Sequence, residues 1–330
     1  MTRVLVTGGA GFIGSHYVRS LVADPEFRSG LGPRGEVTVL DALTYAGNLD
    51  NLEPVSGAHT FVHGDICDAE LLAELVPGHD VVVNLAAESH VDRSIASPGE
   101  FVRTNVLGVQ TLLQACLEAG VPRVVHVSTD EVYGSIGAGS WDESAPLAPN
   151  SPYSAAKAGG DMIARAYART HGLPVSITRC GNNYGPYQFP EKVIPLFVTN
   201  LLDGLPVPLY GDGGNVRDWI HVADHCRGIQ TVVEHGLPGE VYHIAGTAEL
   251  TNLELTRRLL TELGADWSMV ERVPDRPGHD RRYSLADGRL RALGYTPSVS
   301  FADGLTDTVQ WYERNRGWWE PLKKGPHQPR

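Results

Sequence analysis

The chain has 330 residues, 42% hydrophobic and 20% charged, an ordinary folded composition rather than a disordered one. No run approaches the ~18 apolar residues a membrane span needs, and a formal net charge of −12 argues against a nucleic-acid binder, which would need a basic face. An anionic ligand stays open, because charges beyond about 10 Å are screened and local arginines decide.

In chain order, residues 3–7 read as a first strand and 12–23 as a helix. Strands follow at 36–41 and 59–63, a helix at 68–76, and a strand at 80–86. A long helix is expected over 98–119, a strand over 123–128, a helix over 154–170 and a strand over 174–180. Apolar strands alternating with helices predict an α/β fold: a doubly wound parallel sheet of Rossmann type, covered on both faces. After Cys180 the rhythm breaks, with Gly, Pro, Asn and Tyr clustered at 181–190 and 204–215. One more buried strand is expected at 241–245 and an amphipathic helix at 253–263. The length suits one large domain with a smaller lobe. Residues 1–180, with a returning segment at about 217–245, form the expected dinucleotide-binding domain. Residues 181–216 and 246–330 form the expected C-terminal substrate lobe, and the polar tail 323–330 is expected to fray.

Residues 1–6 run directly into the first strand and leave no room for a secretory leader. Cys67, Cys116, Cys180 and Cys226 are widely spaced, with no C-x-x-C pair and no metal-ligand cluster. They read as reduced thiols, and the expected compartment is the cytoplasm.

Gly8, Gly11 and Gly14 have G-x-x-G-x-x-G spacing between the first strand and the first helix. Gly8 permits a tight turn, Gly11 lets backbone reach a pyrophosphate, and Gly14 lets helix pack on sheet. The helix N-terminus, with Phe12 and Ile13, then offers N–H groups to phosphates. Asp41 ends the second strand, where a carboxylate binds a ribose 2′-hydroxyl and repels a 2′-phosphate, favouring NAD over NADP. The Gly14–Asp41 gap exceeds the usual ~20 residues, and the excess reads as a loop insertion at 25–35. Asp65 and Ile66 after strand three, and Leu85, Ala86, Ala87 and Ser89 after strand four, sit at carboxyl ends of the sheet. They are candidate adenine and nicotinamide-ribose contacts.

Tyr153 and Lys157 form Y-x-x-x-K, whose side chains share a helix face. A nearby ammonium and a nicotinamide cation are expected to lower the tyrosine pKa, making a base for a hydroxyl proton as hydride leaves the same carbon. Thr129, Asp130 and Glu131 lie just past strand five, where such a sheet presents its ligand. Two adjacent carboxyls push their pKa values apart, so one can stay protonated while the other ionises. A plain helix cap with acidic first-turn residues is the competing reading.

The motifs TGGAGFIGS (7–15), DALTYAGN (41–48), AAESHVDRSI (86–95), STDEVYG (128–134), YSAAK (153–157), RCGNNYGPYQFPEK (179–192), YGDGGNVRDWIHVADH (210–225) and DRPGHDRRY (275–283) resemble the dTDP-glucose 4,6-dehydratases. These are extended short-chain dehydrogenases/reductases, and the resemblance covers roughly residues 3 to 320. It implies a 4,6-dehydratase that holds NAD and turns dTDP-glucose into a 4-keto-6-deoxy sugar, regenerating NAD at each turnover. Tyr153 would take the 4-hydroxyl proton, with Thr129 holding that oxygen and Lys157 orienting the nicotinamide ribose. Glu131 would take the C5 proton and Asp130 would protonate the departing C6 hydroxyl.

By the same resemblance Ala42, Leu43, Thr44, Thr104 and Asn183 would touch the cofactor, and Ser89 and Asn182 the sugar. Lys192, Val193, Pro208, Leu209, Tyr210, Arg217, Asn252, Asp275, Arg276, Pro277, Gly278 and His279 would clamp the nucleotide. Arg217 and Lys192 suit a diphosphate, which needs cations or fixed N–H donors. Arg276, Arg281 and Arg282 read equally as clamp members or surface charges. No metal is expected. A homodimer is, through a four-helix bundle made by the helices at 98–119 and 154–170. A nucleotide-sugar 4-epimerase would have no use for Asp130 and Glu131 as an acid–base pair, and a catalytically dead NAD-binding scaffold would need neither them nor Tyr153 and Lys157.

Overall fold

The structure, a computed structural model, describes residues 2–32, 35–275 and 278–324. The clamp candidates Arg276 and Pro277, and the tail from residue 325, lie outside the described residues.

Among the described residues, twelve strands form three sheets. In chain order they are β1 (Thr2–Thr7), β2 (Gly35–Asp41), β3 (Thr60–His63), β4 (Val81–Asn84), β5 (Arg123–Thr129), β6 (Val175–Cys180), β7 (Asn182–Tyr184), β8 (Val207–Tyr210), β9 (Val216–His221), β10 (Val241–Ile244), β11 (Ala248–Thr251) and β12 (Val270–Val273). Seven make the main sheet, in the order β10-β6-β5-β4-β1-β2-β3, and every neighbouring pair is parallel. The order reverses after β1, the arrangement that opens a crevice at the carboxyl ends of β1 and β4.

The valine-rich strands have this form because both faces of the sheet are covered. Val4 and Val6 of β1 fall in one core with Tyr17 and Val18 of the helix Phe12–Ala23 and Ile229 and Val232 of the helix Val222–His235. Leu5, between them, falls in the opposite core with Leu72, Leu112, Cys116 and Ala164. The period of two along the strand is thus read out as two cores.

The helix expected over 98–119 is interrupted. It runs as Pro98–Val102, a six-residue π-helical stretch Arg103–Gly108, then Val109–Ala119. At the widened stretch the Asn105 side chain accepts from the Glu88 N–H and donates to the Glu88 carbonyl, both at 3.0 Å. Gly108 lies so close to Ile66 that a Cβ there would come within 2.8 Å of it. The wide turn therefore docks the helix on the loop after β4, a common functional use of π geometry.

The smaller lobe holds a three-stranded sheet, β11-β9-β7, and the pair β12-β8. Its core gathers Phe197, Trp219, Leu255, Leu305, Tyr312 and Trp319. Of the stretch 217–245, residues to His221 pair in the three-stranded sheet. The chain rejoins the main sheet through the helix Val222–His235 and β10. Beyond 246 it touches the main core once more, where Leu290 and Tyr295 join the β1 cluster and the Tyr295 hydroxyl donates to the Asp224 carbonyl at 3.2 Å. Among the described residues no helix is long and apolar enough to cross a membrane.

Candidate active site

The glycine-rich turn leaves β1 and enters the helix Phe12–Ala23. Gly8 has φ +68°, and a Cβ on it would lie 2.6 Å from the Ala86 nitrogen. A Cβ on Gly14 would lie 2.1 Å from the Gly8 carbonyl oxygen. Gly11 is the N-cap residue and offers no side-chain cap, so the first-turn N–H groups are left to a ligand. These features fit a dinucleotide pyrophosphate. Asp41 accepts from the Ala10 N–H through Oδ2 and from the Leu43 N–H through Oδ1, each at 2.8 Å. Each oxygen keeps a further lone pair for a ribose hydroxyl. Burial raises the Asp41 pKa against those hydrogen bonds.

A cleft runs from this turn along the carboxyl ends of the sheet. Gly8, Gly11, Phe12, Ile13, Gly14, Asp41, Ala42 and Thr44 line it, as do Asp65, Ile66, Leu85, Ala86, Ala87, Ser89 and Thr104. Thr129, Asp130, Glu131, Tyr153, Lys157, Asn182 and Asn183 line the same cleft. Leu43 stands apart from the other cofactor candidates: its φ is +48°, and it packs on the core beneath the cleft rather than lining it.

A second cleft is lined by Lys192, Val193, Pro208, Leu209, Tyr210, Arg217, Asn252 and His279. The two clefts share Glu131, Asn182, Glu191 and Lys192, so they meet at the catalytic candidates. Asp275 and Gly278 line neither cleft. Asp275 instead holds the ring of His279, Oδ1 to Nδ1 at 2.6 Å, and Gly278 turns at φ +65° beside the Asn150 carbonyl.

Thr129 closes β5 and caps the short turn Asp130–Tyr133, accepting from the Glu131 N–H at 3.3 Å. The cap that the competing reading expected is thus present. Asp130 is buried, and its Oδ2 has no hydrogen-bond partner. Burial first, then the charges of Glu131 and Asp218, raise its pKa well above the carboxylate range, which favours its protonated form.

The expected lowering of the Tyr153 pKa is not found. Burial, then Glu131, Cys180 and Asp130, push it well above 10, and only the Thr129 hydroxyl opposes. Lys157 is buried and donates through Nζ to the Val127 carbonyl at 2.7 Å. Burial lowers its own pKa, while Asp161 works the other way. A positive charge brought into the cleft by a ligand is what would favour the Tyr153 phenolate.

Arg217 is 5% exposed. It donates to the carbonyls of Val216 at 2.7 Å and Asp280 at 2.9 Å, and lies 4.3 Å over the Tyr283 ring. Among the described residues it forms no ion pair, so its charge remains available to an anion. Arg281 and Arg282 are instead committed to Asp212 and Glu249, at 2.9 and 2.8 Å.

Several lining residues had no role assigned from sequence. The Tyr45 hydroxyl donates to the Ser89 carbonyl, and the Arg93 guanidinium sits 3.7 Å over the Tyr45 ring and pairs with Glu191 at 3.2 Å. Tyr45 and Glu191 lie inside quoted motifs, which was the available signal. Cys180 also lines the cleft, its thiol pushed up to about 12 by burial.

Comparison with known proteins sharpens this picture. A dTDP-glucose 4,6-dehydratase of Streptomyces antibioticus is 61% identical, over 99% of this chain and 97% of its own. A crystal structure of DesIV, a dTDP-glucose 4,6-dehydratase of Streptomyces venezuelae with NAD and dTDP bound, is 65% identical. It matches with a TM-score of 0.95, over 97% of this chain and all of its own. The chain belongs to the dTDP-glucose 4,6-dehydratase family. The broader family profile described as GDP-mannose 4,6 dehydratase matches residues 5–308. A UDP-glucose 4-epimerase of Thermotoga maritima shares the fold more distantly, 31% identical with a TM-score of 0.87 over 96% of this chain and all of its own. The two activities share the framework, so the residues between the clefts have to separate them.

Proposed function

We propose that this chain converts dTDP-glucose to dTDP-4-keto-6-deoxyglucose as an NAD-dependent 4,6-dehydratase, a hydro-lyase of deoxysugar biosynthesis. The observation that carries the reading is the meeting of the two clefts at Glu131, in the cleft that Tyr153 and the buried Asp130, with its raised pKa, also line. The first cleft would take NAD, from Gly8–Gly14 and Asp41 to Lys157, and the second the nucleotide diphosphate, with Arg217 and the N-terminus of the helix Val193–Leu202 as its donors. The sugar would lie where they join, against Ser89, Thr129 and Asn182.

NAD, when bound, would supply a hydride acceptor for C4 of the sugar and a hydride donor for C6. Tyr153 receives the 4-hydroxyl proton and Thr129 holds that oxygen. The resulting 4-ketone acidifies C5, whose proton Glu131 takes and gives back to C5 as hydride reaches C6. Asp130 carries the proton that the C6 hydroxyl needs to depart as water. Elimination β to a carbonyl requires this second acid and base beyond the hydride machinery.

The decisive test is turnover of dTDP-glucose with catalytic NAD, following the alkali-induced absorbance of the keto product, beside Glu131→Gln. Wild type should form product. The variant should lose about 10²–10⁴-fold in dehydration while accumulating bound NADH. Interconversion of dTDP-glucose and dTDP-galactose without keto product would refute the proposal and leave Asp130–Glu131 a structural turn.

The reading includes a cytoplasmic homodimer. Ile95, Val102 and Met162 are 47%, 53% and 45% exposed on the helical face of the main domain, an apolar surface suited to a bundle with a second copy. Light scattering at micromolar concentration should give twice the 35.7 kDa chain mass; a monomer mass would end this part of the proposal.

A further inference from the structure

The peptide at the centre of the glycine-rich turn is held from outside the cleft. The Ala10 carbonyl accepts from the Asn48 N–H at 3.0 Å and from Asn51 Nδ2 at 2.8 Å. Asn48 and Asn51 do not line the cleft, so these bonds keep a carbonyl dipole turned away from a bound phosphate. Asn51 is 1% exposed, and its Oδ1 accepts from Trp318 Nε1 at 3.0 Å, across 267 residues of sequence.

That bond decides the orientation of the amide. With Oδ1 on the indole N–H, Nδ2 must face Ala10. A flip would set donor against donor at Trp318 and acceptor against acceptor at Ala10. Trp318 is itself seated against Tyr187 and Trp311, with ring centroids 5.6 and 5.1 Å away. Arg19, from the helix that the glycine turn opens, lies 4.2 Å over the Tyr187 ring and donates to the Asn51 carbonyl. The helix Arg316–Lys324, Asn51 and the first helix thus form one joint behind the phosphate turn.

We infer that Trp318 is a positioning residue for the cofactor: it fixes Asn51, which fixes the Ala10 peptide, and so slows release of NAD. The inference rests on the proposed NAD site. Trp318→Phe keeps the ring and removes the N–H. Its NAD dissociation rate, followed by displacement of bound NADH fluorescence, should rise about fivefold, the value of one net hydrogen bond. Its kcat at saturating NAD should be unchanged. Asn51→Ala should raise the rate at least as much, and the double variant should not exceed Asn51→Ala, because both act through one path. Trp311→Phe, which touches the same aromatic cluster but not Asn51, should lower the melting temperature and leave NAD release alone. Amide exchange at residues 10–12 should quicken in Trp318→Phe and not in Trp311→Phe, a readout that needs no cofactor. Unchanged release and exchange in Trp318→Phe, or rates in the double variant that multiply, would overturn the inference while leaving the NAD site standing. A wild-type chain that bound no NAD would remove both.

Discussion

The two clefts are built by different means. The first is anchored on backbone: a glycine turn, an uncapped helix start and the carboxyl ends of parallel strands, all set by the seven-stranded sheet. The second is made mostly of side chains carried on short elements of the smaller lobe, with Arg217, Tyr210, Asn252 and His279 arriving from four separate places. A backbone site tolerates almost no change of shape and accepts any side chain that does not intrude. A side-chain site should tolerate changes of shape and lose a ligand when one functional group goes.

Substitution at Gly14 breaks the first kind. Gly14→Ala sets a Cβ 2.1 Å from the Gly8 carbonyl oxygen, whereas Gly11→Ala meets the same atom at 3.3 Å. Gly14→Ala should abolish measurable NAD binding by calorimetry, a loss of at least about 100-fold if the turn must open. Gly11→Ala should keep the fold and bind more weakly. Arg217→Lys breaks the second kind. The ammonium cannot span the Val216 and Asp280 carbonyls while facing a diphosphate with a fork. Affinity for dTDP should fall roughly 10- to 100-fold, with NAD affinity and melting temperature close to wild type. Equal losses of both ligands in either variant would mean that the clefts are one site rather than two.

The same contrast explains what was legible in the sequence. Val-rich runs such as 81–84 and 123–129 could be placed because burial on both faces leaves a continuous apolar signature, and the glycine spacing needs only local geometry. The π-helical stretch at Arg103–Gly108 could not be read, since it depends on Asn105 meeting Glu88, a contact that only the folded sheet creates. Nor could the Tyr45–Arg93–Glu191 cluster, whose members are far apart in the chain and meet across the lobes. Leu43, expected at the cofactor, has φ +48° and packs, partly buried, against the β1 core. Thr129, Asp130, Glu131 and Tyr153, proposed as the acid–base constellation, line one cleft. Burial, which sequence does not display, is the first cause that raises the Tyr153 pKa, with Glu131, Cys180 and Asp130 adding to it, whereas the expected lowering also counted on a nicotinamide cation.

Burial also leaves a signature in stability, carried by a residue next to Arg217. Asp218 is 4% exposed, accepts from the Gly246 N–H at 2.7 Å, and has its pKa raised to about 7. Burial is the main cause, with Glu249 and Asp287 adding to it. The folded chain therefore holds a proton that the unfolded chain has released by about pH 4. Folded binds more protons than unfolded in that window, so the contribution of Asp218 falls as pH rises from about 4 to about 7 and then levels off. Between pH 6 and pH 8 the loss is about 1 kcal/mol. Asp218→Asn keeps an oxygen for Gly246 and removes the titration. Urea midpoints at the two pH values should then lie closer together in the variant than in the wild type, by about that amount divided by the m-value. An unchanged gap would mean that Asp218 is ionised in the folded chain throughout, with Arg282 compensating it. The Asp130 pKa would then stand higher still, since Asp218 is one of the charges that raise it.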